Sequence, residues 1–246
     1  MRYTIFSPMK VAAAAPPPAL TLIHHWDPSE PLTEVLGLVS SMPNQVGGGP
    51  AAVQGNATLQ PTWAPLETDG DGPSALNALH FDGVDDRLEV TLPAEVSTFV
   101  MLAFFISADT TPTQTIMGIL SGDVAPLLQM GAVAGRFNIL LSPGGVVAQT
   151  SAAGIATGSA FAIGVAYDGT TLRIDRHSGS SPGSSASAGV KLANGSTFYI
   201  GGADTKTSFN GQIADVQVWE NWSGDATELG VMVEDFWNAT FTKYYP

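Results

Sequence analysis

Apolar and polar residues alternate along much of this chain with the period of two that half-buried β-strands have. In Leu88–Leu92, three aliphatic residues alternate with two polar ones. This run follows Gly83, a residue type that readily adopts the positive φ of a tight turn. The stretch Ala78–Val90 therefore predicts a strand, an acidic turn and a second strand.

Other segments extend the β pattern in both directions. Ala19–His25 predicts a first strand, and Thr98–Ser107, which is apolar at nearly every position, predicts a central strand covered on both faces. Asp168-Gly169, between two alternating runs, predicts a hairpin. Residues 40–75 and 178–188 are rich in Gly, Pro, Asn and Ser and predict a long connection and an exposed loop. Shorter strands are predicted at Thr115–Leu120, Leu127–Met130, Arg136–Leu141 and Val146–Thr150.

The period changes to that of a helix near the end of the chain. Leu229, Met232, Val233 and Phe236 recur at i, i+3, i+4 and i+7, and Asp225 with Glu228 forms a variant of the capping box. Many short strands followed by one short helix indicate a single all-β domain. We expect a two-sheet antiparallel β-sandwich of the jelly-roll type over residues 21–246.

Residues 1–20 have a different character. Two basic residues precede the apolar run Val11–Ala15, as in a signal peptide, but this run is shorter than a signal core and three prolines follow it. Consecutive prolines favour an extended chain. We therefore expect residues 1–20 to form an arm that anchors the domain to another protein. The anchoring residues expected are Tyr3, Ile5, Phe6, Pro16, Pro17 and Pro18.

Composition narrows the classes of partner. Nine basic residues against 22 acidic ones give a net charge of −13, which repels nucleic acid and anionic lipid. No apolar run approaches the roughly 20 residues that a membrane-spanning helix needs. Charged residues are only 13% of the chain, and depletion of charge is typical of the core of an interface. We expect a homo-oligomer, with a trimer as the expected state, and no nucleic-acid or membrane partner.

Several motifs occur in an order that resembles a known superfamily. Phe81–Asp86 reads Phe-Asp-Gly-Val-Asp-Asp, with Trp26-Asp27 and Leu59–Thr62 before it and Phe161–Asp175 and Phe198–Trp219 after it. Together they resemble the concanavalin A-like lectin/glucanase superfamily. The similarity is to its laminin-G-like branch, which is common in bacteriophage structural proteins and bacterial surface proteins.

The resemblance implies a lectin-like jelly roll on the surface of a phage particle. In this interpretation the chain is a non-enzymatic virion structural protein, a capsid decoration or a tail or fibre component, held to other virion proteins by its arm and able to bind surface glycans. One alternative is a glycan-binding adhesin module of a bacterial surface protein, located outside the cell. A second alternative is a glycoside hydrolase or lyase.

The enzyme alternative lacks its usual signature. Superfamily members that cleave β-glucans carry Glu-x-Asp-x-x-Glu, which places carboxylates on one face of a strand beside the scissile bond. This chain contains no such motif. We therefore predict no catalytic residues.

Clustered carboxylates and histidines suggest metal ligands. Asp82, Asp85 and Asp86 could supply oxygens to calcium, although aspartates also stabilise acidic turns through backbone N–H groups. As a catalytic pair, the adjacent Asp85 and Asp86 are expected to diverge. Apart from calcium we predict no cofactor. His24 and His25 are expected to face opposite sides of a strand and not to share a metal.

Two tryptophans are candidates for binding carbohydrate. Trp63, in the long connection, and Trp222, in the turn before the helix, could stack on a pyranose ring. The alternative for each is a place in the core or in an interface, since tryptophans are mostly buried. We expect Trp26, Trp219 and Trp237 to be core anchors.

Overall fold

The computed structural model describes residues 19–68, 70, 72–109, 113–119, 125–131, 136–142, 145–150, 156–177, 182–203 and 208–246. This part of the chain contains seventeen β-strands, a short 3-10 helix at Ala57–Leu59 and one α-helix, α1 (Ala226–Tyr244). The strands are β1 (Thr21–Trp26), β2 (Thr33–Val35), β3 (Leu38–Met42), β4 (Ala52–Val53), β5 (Thr62–Thr68), β6 (Gly72–Asp82), β7 (Leu88–Thr91), β8 (Phe99–Ser107), β9 (Gln114–Ile119), β10 (Ala125–Gly131), β11 (Arg136–Ser142), β12 (Gly145–Gln149), β13 (Ala160–Tyr167), β14 (Thr171–Arg176), β15 (Gly183–Ala186), β16 (Thr197–Ile200) and β17 (Asn210–Glu220).

All strand pairs are antiparallel, and they form two layers. The first layer runs in the order β5, β6, β17, β8, β13, β14 and β15. The long strand β17 pairs along its whole length with β8, but its other edge is shared. There β6 pairs with residues 210–213 and β1 with residues 216–220, and the register shifts between Ile213 and Asp215.

The second layer runs in the order β12, β11, β10, β9, β16, β7, β4, β3 and β2. A large apolar core fills the space between the layers. Phe105 is fully buried there, with ring centroids 5.6 Å from Phe137 and 5.7 Å from Phe209 in edge-to-face contacts. The chain is therefore an all-β jelly-roll sandwich, as the sequence predicts.

Helix α1 packs on the outer face of the first layer and creates a second core. Strand β8 contributes alternate side chains to the two cores: Met101, Ala103 and Phe105 lie between the layers, and Leu102 and Phe104 lie under the helix. This confirms that the strand predicted at Thr98–Ser107 is covered on both faces.

The predicted capping box is confirmed at the start of α1. The Asp225 carboxylate accepts hydrogen bonds from the N–H groups of Thr227 (2.8 Å) and Glu228 (3.1 Å), while Glu228 accepts one from the Asp225 N–H (2.9 Å). The single helix expected at the end of the chain is α1, which has 19 residues. Its C-terminal half continues because Trp237, Phe241 and Tyr245 stack in succession along it.

Two loop predictions are wrong in part. Residues 40–75 contain β4, β5, most of β3 and the start of β6, and residues 183–186 form β15. These strands are held by backbone pairing with neighbours, which a Gly- and Pro-rich sequence does not reveal. The predicted hairpin at Asp168-Gly169 is confirmed between β13 and β14.

Residues 1–18 of the predicted arm, which include its anchoring residues Tyr3, Ile5, Phe6 and Pro16–Pro18, lie outside the described residues. Among the described residues, no helix combines the length and apolar character that crossing a bilayer requires.

Candidate functional site

The acidic turn after β6 carries the chain from the first layer to the second. The Asp82 carboxylate accepts a hydrogen bond from the Val84 N–H (2.8 Å), and the Asp86 carboxylate accepts one from the Asp82 N–H (3.1 Å). Gly83 has a φ of 79°, and a Cβ there would lie 2.7 Å from the Asn210 side chain. A glycine is therefore required both for the turn conformation and for the close approach of β17.

The three aspartates of this turn converge. One carboxylate oxygen from each of Asp82, Asp85 and Asp86 lies within 4.8 Å of the others. The expected divergence of Asp85 and Asp86 is therefore wrong, because adjacent residues in a turn are not confined to opposite faces as they are in a strand. Burial of Asp86, with repulsion from Asp82 and Asp85, raises its pKa to about 6.

This geometry is compatible with both interpretations of the acidic turn. Three converging carboxylates offer the oxygen ligands that calcium takes. The hydrogen bonds that the Asp82 and Asp86 carboxylates accept also account for the turn without a metal, as in an Asx turn. Calcium binding here stays a hypothesis.

Trp63 lies on β5 at the edge of an open groove. Its half-buried ring packs against the core between the layers, and its Nε1 donates a hydrogen bond to the Pro28 carbonyl (2.9 Å). This bond fixes the orientation of the indole. The groove has a volume of about 550 Å³ and is lined by Trp63 with Ser29, Glu30, Pro31, Leu32, Thr33 and Glu34. An aromatic ring beside hydroxyls and carboxylates is a chemical combination that can recognise a sugar.

Trp222 is much less accessible. Its side chain belongs to the core under α1 with 4% of its surface exposed, and a Cβ on Gly224 would lie 2.5 Å from its ring. The indole presents little of its face to solvent, which favours the core interpretation at this position. Trp26 is fully buried, and Trp219 and Trp237 are half-buried against the core under the helix.

A second polar cluster, which the sequence analysis missed, lies beneath the end of α1. His24 and His25 face opposite sides of β1, as predicted, and the ring of His24 contacts Asn44 (Nδ1 to Nδ2, 2.8 Å). His25 Nε2 instead points to the Asp215 carboxylate, at 3.1 Å from Oδ1 and 3.2 Å from Oδ2. The nearby Asp27 carboxylate pairs with the Lys243 ammonium.

Charge and burial oppose each other in this second cluster. Burial raises the pKa of Asp215. Burial also lowers the pKa of His25, but the hydrogen bond and charge of Asp215 outweigh that effect, so the His25 pKa is raised. The Tyr244 hydroxyl donates to the Ala214 carbonyl (3.0 Å) and closes the cluster from the helix side.

Sequence signals for this cluster are weak. Asp215 is 190 residues from His25, and the two meet because β1 pairs with β17 with Trp26 opposite Val216. One local hint exists, which is an aspartate within the otherwise apolar stretch Ile213–Val216.

No protein-family model matches the chain, and no curated protein sequence matches it significantly. Among solved structures, the sialidase of Trypanosoma rangeli in complex with 2,3-difluorosialic acid aligns with a TM-score of 0.56 at 15% identity, over 95% of this chain and 35% of that chain. Domain 4 of the extracellular GH43 arabinanase AbnA from Geobacillus stearothermophilus aligns with a TM-score of 0.48 at 13% identity, over 86% and 98% of the two chains. A pentraxin from Limulus polyphemus also gives 0.48, at 15% identity over 63% and 80%.

The chain spans about a third of the length of the sialidase. At such low identity this similarity establishes the fold and nothing further. It agrees with the jelly-roll sandwich that the strand order shows.

Proposed function

We propose that this chain is a non-enzymatic, glycan-binding jelly roll, and that it serves as a structural protein on the surface of a phage particle. The observation that carries the glycan-binding part is Trp63. Its ring is oriented by the hydrogen bond to Pro28 and borders a groove that also contains Glu30 and Glu34. Aromatic stacking supplies affinity for a sugar ring, and the polar groups bind its hydroxyls.

The carboxylates of the groove suit binding better than acid catalysis. Glu30 and Glu34 are both exposed to solvent, and Glu34 accepts a hydrogen bond from the Gly37 N–H at 2.6 Å. A glycosidase instead needs one carboxyl group that is kept protonated by an apolar environment. Hydrolysis is the second candidate function, because the groove does contain a pair of carboxylates.

Substitution of Trp63 tests the glycan-binding proposal. The purified chain is screened against bacterial surface polysaccharides, β-glucans, alginate and agar oligosaccharides, and each hit is measured by calorimetry. We expect Trp63→Ala to weaken binding about tenfold or more, since loss of one stacking contact costs on the order of 1–2 kcal/mol. Trp63→Phe, which keeps a ring, should retain part of the affinity.

Trp222→Phe is the matched control, because this buried indole lies away from the groove lining. It should bind as the unchanged chain does. If the unchanged chain binds the glycan with the same affinity as Trp63→Ala and Trp63→Phe, Trp63 is not part of the binding site. Release of reducing sugar from a bound glycan, lost in Glu30→Gln or Glu34→Gln, would favour the hydrolase instead.

The virion part of the proposal is supported by sequence. The motifs at Trp26-Asp27, Phe81–Asp86, Phe161–Asp175 and Phe198–Trp219 resemble in their order those of laminin-G-like phage proteins, and the chain is poor in charged residues. We propose that residues 1–20 attach the domain to a capsid or tail protein and that the chain assembles as a homotrimer. A bacterial surface adhesin is the alternative location for the same glycan-binding domain.

A further inference from the structure

Three side chains of types that bind metals meet beneath the C-terminal end of α1. His25 lies near the end of β1, Asp27 follows that strand, and Asp215 lies in β17 where its partner changes from β6 to β1. One ligand atom from each of the three lies within 4.8 Å of the other two. Pairing of β1 with β17 therefore assembles the group from opposite ends of the chain.

One atom of this group accepts no hydrogen bond. Asp215 is only 4% exposed, and no described residue donates a hydrogen bond to its Oδ1. The His25 ring is aligned to bond Oδ2, although Oδ1 is only 3.1 Å from Nε2. A buried carboxylate oxygen without a donor destabilises the folded chain. This oxygen lies 3.1 Å from His25 Nε2, one of the other two candidate ligands, and a bound cation would complete its coordination.

We propose that His25, Asp27 and Asp215 bind a divalent transition-metal ion such as Zn²⁺. One imidazole nitrogen with two carboxylates suits zinc, cobalt or manganese, whereas calcium and magnesium take oxygen ligands. Ligand bonds of about 2.0–2.2 Å place neighbouring ligand atoms roughly 3–3.5 Å apart, which is the separation that His25 Nε2 and Asp215 already have. Three protein ligands leave a further position for water.

Lys243 is the competitor for this site. Its ammonium pairs with Asp27 Oδ2 and supplies the positive charge that two neighbouring carboxylates require. Its side chain is 34% exposed and stands on a flexible stem, so it can move into solvent when a metal ion binds. The partly exposed side chains of Lys243 and His25 also mark the route by which an ion enters.

Metal titration of the full-length chain tests the site. The protein is stripped with a chelator and titrated with Co²⁺, followed by visible absorption, and with Zn²⁺, followed by calorimetry. We expect one equivalent of either ion to bind, and His25→Gln and Asp215→Asn each to weaken binding at least tenfold. Lys243→Met should tighten binding about tenfold, because the competing ammonium is gone.

His24→Gln is the matched control, since this neighbouring histidine faces the opposite side of β1. It should bind metal as the unchanged chain does. Circular dichroism checks the fold of each variant. Should Asp215→Asn fail to fold, His25→Gln carries the test, because its side chain is 23% exposed.

Two results would overturn the site. One is the absence of saturable binding of both ions by the unchanged chain and by Lys243→Met. The other is an unchanged affinity in His25→Gln. Neither result depends on glycan binding at Trp63, so the metal-site proposal and the glycan-binding proposal are tested independently.

Discussion

At the scale of single residues, the carboxylates of this acidic chain differ in how their charge is balanced. Burial of Asp168 opposes ionisation, but Arg173 and the N–H groups of Thr170 and Thr171 outweigh it and hold the pKa of Asp168 well below its usual range. Asp86 has two other carboxylates as neighbours, and its pKa is raised. Asp168 therefore stabilises its turn in the ionised form, whereas Asp86 stabilises its turn in the protonated form.

The raised pKa of Asp86 predicts a dependence of stability on pH. Its pKa is about 6 in the folded chain and about 3.9 in an unfolded one. The folded state therefore holds this proton more tightly, and the resulting stabilisation is complete below about pH 3.9 and is lost as pH rises through 6. For two pKa units linkage sets an upper limit of roughly 3 kcal/mol on the free energy of unfolding.

Asp86→Asn should abolish this contribution while keeping an acceptor for the Asp82 N–H. Urea unfolding of both proteins between pH 4 and pH 7, in calcium-free buffer, measures the difference. Asp235→Asn, an exposed position on α1, is the control for loss of one negative charge. If the stabilities of the unchanged chain and Asp86→Asn keep a constant difference across this range, Asp86 does not titrate as expected.

At the scale of elements, the sequence predicts those whose signals are local. Helix α1 has its capping box and its apolar period within a few residues, and β8 is apolar at every position except Ser107, so both are recognised. Strands β4 and β15 have two and four residues and exist only because a neighbour pairs with them. Their sequences resemble loops because nothing in their side-chain pattern records that pairing.

The contact between α1 and β13 depends on a missing side chain. A Cβ on Gly164 would lie 2.6 Å from Val233 Cγ2 and 2.9 Å from Leu229 Cδ1. Overpacking of a close-packed interior costs about 1–3 kcal/mol. We therefore expect Gly164→Ala to lower the free energy of unfolding by that amount, as measured by urea denaturation.

A double-mutant cycle identifies the cause. Val233→Ala alone should destabilise by removing buried methyl groups, but combined with Gly164→Ala it should cost less than the sum, since the new methyl group fills the space vacated. Gly55→Ala is the control, because a Cβ there meets no atom within 4 Å. Additive losses in the cycle would mean that the two positions do not compete for space.

At the scale of the whole molecule, the two polar clusters show what sequence can and cannot reveal. The acidic turn is contiguous, so Asp82, Asp85 and Asp86 are found as candidates from the sequence alone. The cluster of His25 and Asp215 is created by the closing of the sheet, when the first and last strands pair. Only the topology brings these two residues together, and a one-dimensional pattern contains no equivalent signal.

The same topology predicts how the chain responds to loss of its N-terminal segment. Strand β1 begins at Thr21 and already pairs with β17, so deletion of residues 1–18 should change the melting temperature by less than about 3 °C.

We expect the deletion to abolish attachment to phage particles, and light scattering to show a homo-oligomer for the full-length chain. Scanning calorimetry, particle co-sedimentation and light scattering measure the three outcomes. If the truncated chain unfolds, residues 1–18 are part of the domain itself. The proposed assembly is wrong if the full-length chain is a monomer or if the truncated chain still binds phage particles.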